Sequence, residues 1–230
     1  MSPTLPIRTR RGTGDHTLVL LHGRGGDEND LFKLFDVLDP DRRLRGITVG
    51  GPIFVPPGGR HWYVVPQVGF PDPDTFASTW AQLQHTLDTE VGLDWSKTVV
   101  GGFSQGTVMA FALGLGAGRP APAGILALSG FVPTVDGWSA DLESRPGLPV
   151  LIAHGTRDPV ISVDFARKAR TLLEAGGAAL EYHETPGAHA IDPSVVPDVQ
   201  RWLAGVTAPA AAPPPSLASG APSTTAGASG

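Results

Sequence analysis

Cysteine is absent from the 230 residues. That removes disulfides, thiolate metal sites and a cysteine nucleophile together, and it leaves the compartment open. Asparagine occurs once and lysine three times, against 14 arginines. Neither sign of charge accumulates: 17 basic and 22 acidic side chains give a net charge of −5. So mild an acidity offers no electrostatic footprint for nucleic acid, and no nucleic-acid partner is expected. Long apolar runs are also missing near the start. The stretch at residues 17–21 is too short for an export signal or a membrane span. The pair Arg10–Arg11 is followed by Gly12, Gly14, Asp15 and His16 rather than an apolar segment. The expectation is a cytoplasmic protein with no membrane span.

Glycine and proline are abundant instead, 30 and 23 residues, or 23% of the chain. That approaches the level of low-complexity sequence. A hydrophobic content of 41% and the small net charge argue the other way, because such a chain can bury enough surface to fold. The segment 207–230 holds only five of the prolines and three of the glycines. Residues 1–206 therefore read as one turn-rich domain. Residues 207–230, uncharged and with almost nothing to bury, read as a disordered tail.

Short aliphatic runs at residues 17–21, 46–50, 98–102, 124–129, 149–153 and 179–183 predict strands. TLVLL and PVLIA are apolar on both faces, as buried parallel strands are. Helical spacing lies between them. Over residues 75–91, Phe76, Trp80, Leu83, Leu87 and Val91 share a stripe. Phe165, Ala169, Leu172 and Leu173 form another, ending at Gly176–Gly177. Residues 108–115 are apolar all round, which predicts a deeply buried helix. The alternation means an α/β fold with a mostly parallel central sheet and helices on both faces. Residues 52–74 break the pattern: 23 residues, six prolines and no helical period. A connection that long is usually functional or disordered. Phe54, Trp62, Tyr63 and Phe70 favour an ordered loop over a pocket.

The strongest chemical signal is Gly102-Phe103-Ser104-Gln105-Gly106. It follows the strand pattern KTVVGG and opens the apolar helix, the strand–turn–helix setting of a nucleophile elbow. Its alternative is a glycine-rich turn with an incidental serine. A serine hydroxyl needs a base, and the base needs an orienting acid. Among seven histidines, His85 reads as a surface residue, and His16 and His183 as structural residues at strands. His189 lies in a loop between the last strand pattern and a terminal helix, where the order serine, acid, histidine would put the base. Asp158 follows the strand of PVLIAHGTRD and is the acid best placed between Ser104 and His189. Taken alone it would read as a turn aspartate capping residue 160 onwards. The intermediate of acyl transfer also needs oxyanion donors. The Gln105 backbone N–H is one. The loop His22-Gly23-Arg24-Gly25-Gly26-Asp27, expected to run into a helix near Asp27, offers the Arg24 N–H as the second. No metal-binding spacing appears, so no metal is expected.

Four segments, LHGRGGDENDL (21–31), GGFSQG (101–106), HGTRDPVI (154–161) and PGAHAI (186–191), together resemble the phospholipase/carboxylesterase family of the α/β-hydrolase superfamily. This family includes the acyl-protein thioesterases, and the HGRGGDENDL form is more similar to its bacterial carboxylesterase branch. The resemblance spans residues 21–191. It implies an α/β-hydrolase fold without a large cap domain, a Ser104–Asp158–His189 triad, an oxyanion hole from the Arg24 and Gln105 N–H groups, and no cofactor. One departure is Ala188, where the family often has glycine before the histidine. The implied partner is a small-molecule ester, and a homodimer is compatible with it. Trp62, Tyr63, Phe70 and Phe131 are the expected substrate-binding residues, with cover for the sheet edge as their alternative. The reading is a serine carboxylesterase for short-to-medium-chain or aryl esters. Its alternatives are a thioesterase or lysophospholipase on the same triad and, less favoured because all three triad residues are present, a non-catalytic binding protein.

Overall fold

The computed structural model describes residues 4–54 and 58–208. In chain order its elements are β1 (Ile7–Arg10), β2 (Thr17–Leu21), α1 (Leu34–Leu38), β3 (Arg45–Val49), β4 (Ile53–Phe54), β5 (Arg60–His61), α2 (Pro73–Gln84), β6 (Thr98–Phe103), α3 (Gln105–Leu115), β7 (Gly124–Leu128), β8 (Pro149–Gly155), α4 (Val163–Ala175), β9 (Ala179–Thr185) and α5 (Val196–Val206). Seven strands form one sheet in the order β1-β3-β2-β6-β7-β8-β9. All neighbours pair in parallel except β1, which runs antiparallel to β3. This is the mostly parallel α/β sheet that the strand–helix alternation predicts. Residues 209–230, most of the expected tail, lie outside the described residues.

Each face of the sheet carries its own core. On one side α2, α3 and α4 pack Phe76, Leu83, Met109, Phe111 and Leu173 against β-strand residues such as Val19, Val100 and Ile152. On the other, α1 and α5 bring Phe35, Leu38, Val199 and Trp202 against Leu18, Val99 and Leu151. Neighbouring strand residues thus split between the two cores, as the period of two in a pleated strand requires. Every residue of α3 is buried, in keeping with its apolar sequence. It packs against β6 and β7 at the centre of the sheet.

Several elements differ from their sequence pattern. β1 carries Arg8 and Arg10 and too few apolar residues to read as a strand; pairing to β3 supplies what periodicity does not. No helix starts at Asp27. Residues 28–33 form turns, and the short α1 begins at Leu34. Helix α2 starts two residues earlier than its stripe, because Asp72 caps it by accepting from Thr75 N–H at 2.9 Å and Pro73 opens the first turn. It ends in a π turn over His85–Glu90. In α4 the buried stripe is Val163, Ala166, Ala169 and Leu173, whereas Leu172 is exposed. Val163, Ala166, Ala169 and Leu173 are spaced three or four residues apart and share one face, and Leu172 falls beside it.

Candidate active site

The ends of β6, β8 and β9 converge on one point at the carboxyl edge of the sheet, where open α/β sheets gather their ligands. Ser104 sits in the turn between β6 and α3 with φ 55° and ψ −119°, a conformation that costs a non-glycine residue of order 1–3 kcal/mol. The geometry explains its neighbours. A Cβ at Gly102 would lie 2.4 Å from the Gly106 carbonyl carbon, and one at Gly106 would lie 2.0 Å from the Leu21 carbonyl oxygen. Both contacts are with backbone, so neither can yield. Although it stands at the helix cap, Ser104 makes no side-chain capping bond to the helix.

The Ser104 hydroxyl lies 2.9 Å from His189 Nε2. His189 Nδ1 in turn lies 2.6 Å from Asp158 Oδ2. The other carboxylate oxygen, Asp158 Oδ1, accepts the Val160 and Ile161 N–H groups, both at 2.8 Å. Burial pushes the Asp158 carboxyl up, but the His189 bond and these two N–H groups outweigh it and hold it below the usual carboxylate range. Asp158 follows the end of β8 by three residues, since that strand runs on to Gly155. Gly155 must be glycine, because a Cβ there would meet the Ala188 and Gly187 carbonyl oxygens at 2.4 and 2.5 Å. Thus the acid loop and the histidine loop touch directly. Ala188 is not among the residues with positive φ, so its replacement of glycine strains nothing.

Arg24, Gln105, Ser104 and His189 line one cavity of about 320 Å³, together with Tyr63, Val65, Val68, Phe103, Phe131, Val160 and Ile161. Among the described residues, neither the Arg24 nor the Gln105 backbone N–H bonds a backbone carbonyl. The loop carrying Arg24 is held from behind by His22, a residue to which sequence reasoning gave no role. His22 Nε2 accepts the Gly51 N–H at 2.9 Å, which leaves Nδ1 to donate to the Gly23 carbonyl at 2.6 Å. Burial pushes the His22 imidazole below its ordinary value, in accord with this neutral ring. The Gln105 side chain is the second unanticipated part. Its Oε1 accepts the Trp62 N–H at 3.1 Å and its Nε2 donates to the Tyr63 carbonyl at 3.0 Å, clipping the aromatic loop to the elbow.

The four aromatic residues expected around a substrate separate into three groups. Tyr63 and Phe131 line the cavity. Trp62 does not: it is fully buried, stacks on His22 at 4.8 Å and donates its indole N–H to the His22 carbonyl at 2.7 Å. An indole buried this deeply needs a partner for its N–H, and that partner turns it under the loop. Phe70 is 53% exposed and lies on an adjoining open groove of about 870 Å³, which shares Gly69, Pro71 and Phe131 with the cavity. Among the described residues, one set has metal-ligand chemistry, Glu181, His183 and Asp198, outside the cavity. Arg201 already bridges its two carboxylates at 2.6 and 2.5 Å, so a cation's place is taken by the guanidinium.

Comparison with known proteins gives this arrangement a lineage. The family model described as Phospholipase/Carboxylesterase matches residues 5–207. The chain belongs to the phospholipase/carboxylesterase family. It is an ester hydrolase by that membership. Acyl-protein thioesterase 1 of Debaryomyces hansenii is 28% identical over 234 residues, covering 87% of this chain and 95% of the relative. MhqD of Bacillus subtilis, named as a hydrolase, is 26% identical over 200 residues, covering 84% and 94%. Among solved structures, a Bacillus cereus carboxylesterase superposes with a TM-score of 0.77 at 24% identity, over 88% of this chain and 94% of that one. At that identity the superposition shows the shared α/β-hydrolase fold.

Proposed function

We propose that this phospholipase/carboxylesterase hydrolyses short-to-medium-chain or aryl carboxylic esters through Ser104, His189 and Asp158. The observation that carries the reading is the unbroken chain of short contacts from Ser104 Oγ through His189 to Asp158, opening into an apolar cavity. His189 takes the Ser104 proton as Oγ attacks the carbonyl carbon. The backbone N–H groups of Arg24 and Gln105 receive the oxyanion. His189 then returns the proton to the departing alcohol, and an acyl-enzyme remains. Water, deprotonated by His189, releases the acid and restores the serine. Asp158 holds the imidazole in the required tautomer and stabilises its charged form.

Tyr63 and Phe131 are the aromatic walls proposed to bind substrate. At about 320 Å³ the cavity is near the lower end of the roughly 300–1,000 Å³ usual for ligand pockets, which favours a modest acyl or aryl group. A fluorophosphonate probe should label the wild-type chain and fail on Ser104→Ala. A p-nitrophenyl ester series should peak at short to medium chains. Persistent labelling of Ser104→Ala, or no hydrolysis at any chain length, would overturn the reading. Thioester hydrolysis is a second reading, favoured by the relative named as an acyl-protein thioesterase. Comparing kcat/KM for an ester and its matched thioester decides between them.

A further inference from the structure

His154 is fully buried at the end of β8, four residues before Asp158, and the reaction described above makes no use of it. Its Nε2 lies 2.8 Å from the Ile161 carbonyl oxygen. A carbonyl only accepts, so Nε2 carries a proton. Nδ1 is buried and has no partner among the described residues. The same Ile161 gives its N–H to Asp158 Oδ1 at 2.8 Å. Its two peptide groups are thus tied at once, one to the acid and one to His154. Nε2 also lies 3.4 Å from Asp158 Oδ2, the oxygen that faces His189. That is too long for a good hydrogen bond, but it sets the positive end of the N–H dipole beside a buried carboxylate.

We propose that His154 is a positioning residue for the acid of the triad. It fixes the Ile161 segment that cradles one carboxylate oxygen and lays a partial positive charge against the other. The inference rests on the triad reading given above. The other charged groups nearby are already engaged. Glu184, the strand partner of His154 on β9, is bound by Arg167 of α4 with two contacts of 2.9 Å and by the Tyr182 hydroxyl at 2.9 Å. Arg157 spends its Nε–H on the Pro186 carbonyl at 2.6 Å. Asp192, beside His154 in a small enclosed cavity, accepts the Ser194 N–H at 2.9 Å. None of them replaces the His154 N–H at Ile161.

The test compares His154→Phe, which keeps a flat ring and loses the donor, with His154→Gln, whose amide can reach the Ile161 carbonyl. Assays use the full chain on a p-nitrophenyl ester, with active sites counted by fluorophosphonate. His154→Phe should lower kcat roughly 10–100-fold with KM nearly unchanged, the scale of a misplaced catalytic group. His154→Gln should recover most of that loss. With the N–H dipole gone, Asp158 pulls harder on the His189 proton and favours the imidazolium. The acid limb of the kcat/KM profile of His154→Phe should therefore move to higher pH. Equal losses in both variants with an unmoved acid limb would mean that His154 only fills space, and a His154→Phe variant within twofold of wild type would also overturn the proposal. Ser104→Ala, run in parallel, separates the two levels: if it still reacts, the triad reading fails and this inference falls with it. If His154→Phe does not fold, ¹⁵N NMR of the wild-type imidazoles decides. A ring protonated on Nε2, absent from His154→Gln, is expected; a ring with Nε2 unprotonated overturns the proposal.

Discussion

The clip between Gln105 and the aromatic loop yields the most quantitative expectation. Replacing Gln105 by methionine keeps the length and volume of the side chain and leaves the backbone N–H in place. It removes both polar partners. The Trp62 N–H and the Tyr63 carbonyl have Gln105 as their described partner, and both residues are buried. Leaving a buried backbone group unpaired costs about 1–3 kcal/mol. Two such groups give about 2–6 kcal/mol, and the cavity beside Tyr63 admits water that recovers part of it. A net destabilisation of about 2–4 kcal/mol is the working figure. With a urea slope of about 2 kcal/mol per molar, the midpoint of unfolding should fall by about 1–2 M.

The same change should divide the kinetic constants. Tyr63, Val65, Val68 and Gly69 form one wall of the cavity on the loop that Gln105 holds. A loosened wall weakens substrate in the ground state and the transition state alike, which raises KM more than it lowers kcat. Urea unfolding and steady-state kinetics on Gln105→Met check both halves. A midpoint within about 0.3 M of wild type would mean that the two backbone groups find other partners. The clip would then be incidental.

Gly106→Ala should destabilise the fold by at least the roughly 1–3 kcal/mol of an overpacked core, because its Cβ would meet the Leu21 carbonyl oxygen at 2.0 Å. A thermal unfolding midpoint equal to wild type would refute the steric argument. Arg24→Ala keeps the backbone donor, so kcat on a neutral ester should change far less than the roughly 10²–10³-fold that follows loss of an oxyanion donor. A loss on that scale would show the side chain, not the backbone, to be the active group. Asp158 is held below the usual carboxylate range, so it stays ionised as pH falls from 8 to 5. The fall of kcat/KM on the acid side then belongs to His189, and a rate flat over that interval would exclude a histidine base. Because its folded-state value is depressed, Asp158 also contributes stability that is complete above its unfolded value near about 4 and is lost as pH falls through the folded one. Asp158→Asn should lose part of that acid sensitivity in stability-versus-pH measurements.

The parts legible in the sequence are those where chemistry and sterics leave few choices. Gly102 and Gly106 flank Ser104 because no side chain fits against Gly106 and Leu21 backbone, and a spacing of two residues displays that demand directly. The sheet was legible for a similar reason: TLVLL and PVLIA must be buried on both faces, and only a parallel sheet between helices buries them so. β1 was not legible, since Ile7–Arg10 has two arginines in four residues and becomes a strand only through its pairing with β3. In α4 the adjacent leucines point in different directions, and only Leu173 falls on the buried stripe of Val163, Ala166 and Ala169, leaving Leu172 outside.

Trp62 shows where residue type stops being informative. From composition, an indole on a long loop before a pocket is equally a wall or a support. What decides is a carbonyl 40 positions away: the His22 oxygen takes the indole N–H, and the ring then stacks on the imidazole that holds the Arg24 loop. Trp62 therefore serves the site from behind. The same holds for Gln105 and His154, whose partners at Trp62, Tyr63 and Ile161 have no fixed spacing from them. The proposed catalytic atoms of Ser104, Asp158 and His189 sit just past the ends of β6, β8 and β9, positions the fold itself brings together, and their order along the chain points to them. The groups that steady those atoms lie one layer below, joined across loops of arbitrary length. Only the folded backbone brings those pairs together, which is why the candidate site could be proposed from the sequence and its supports could not.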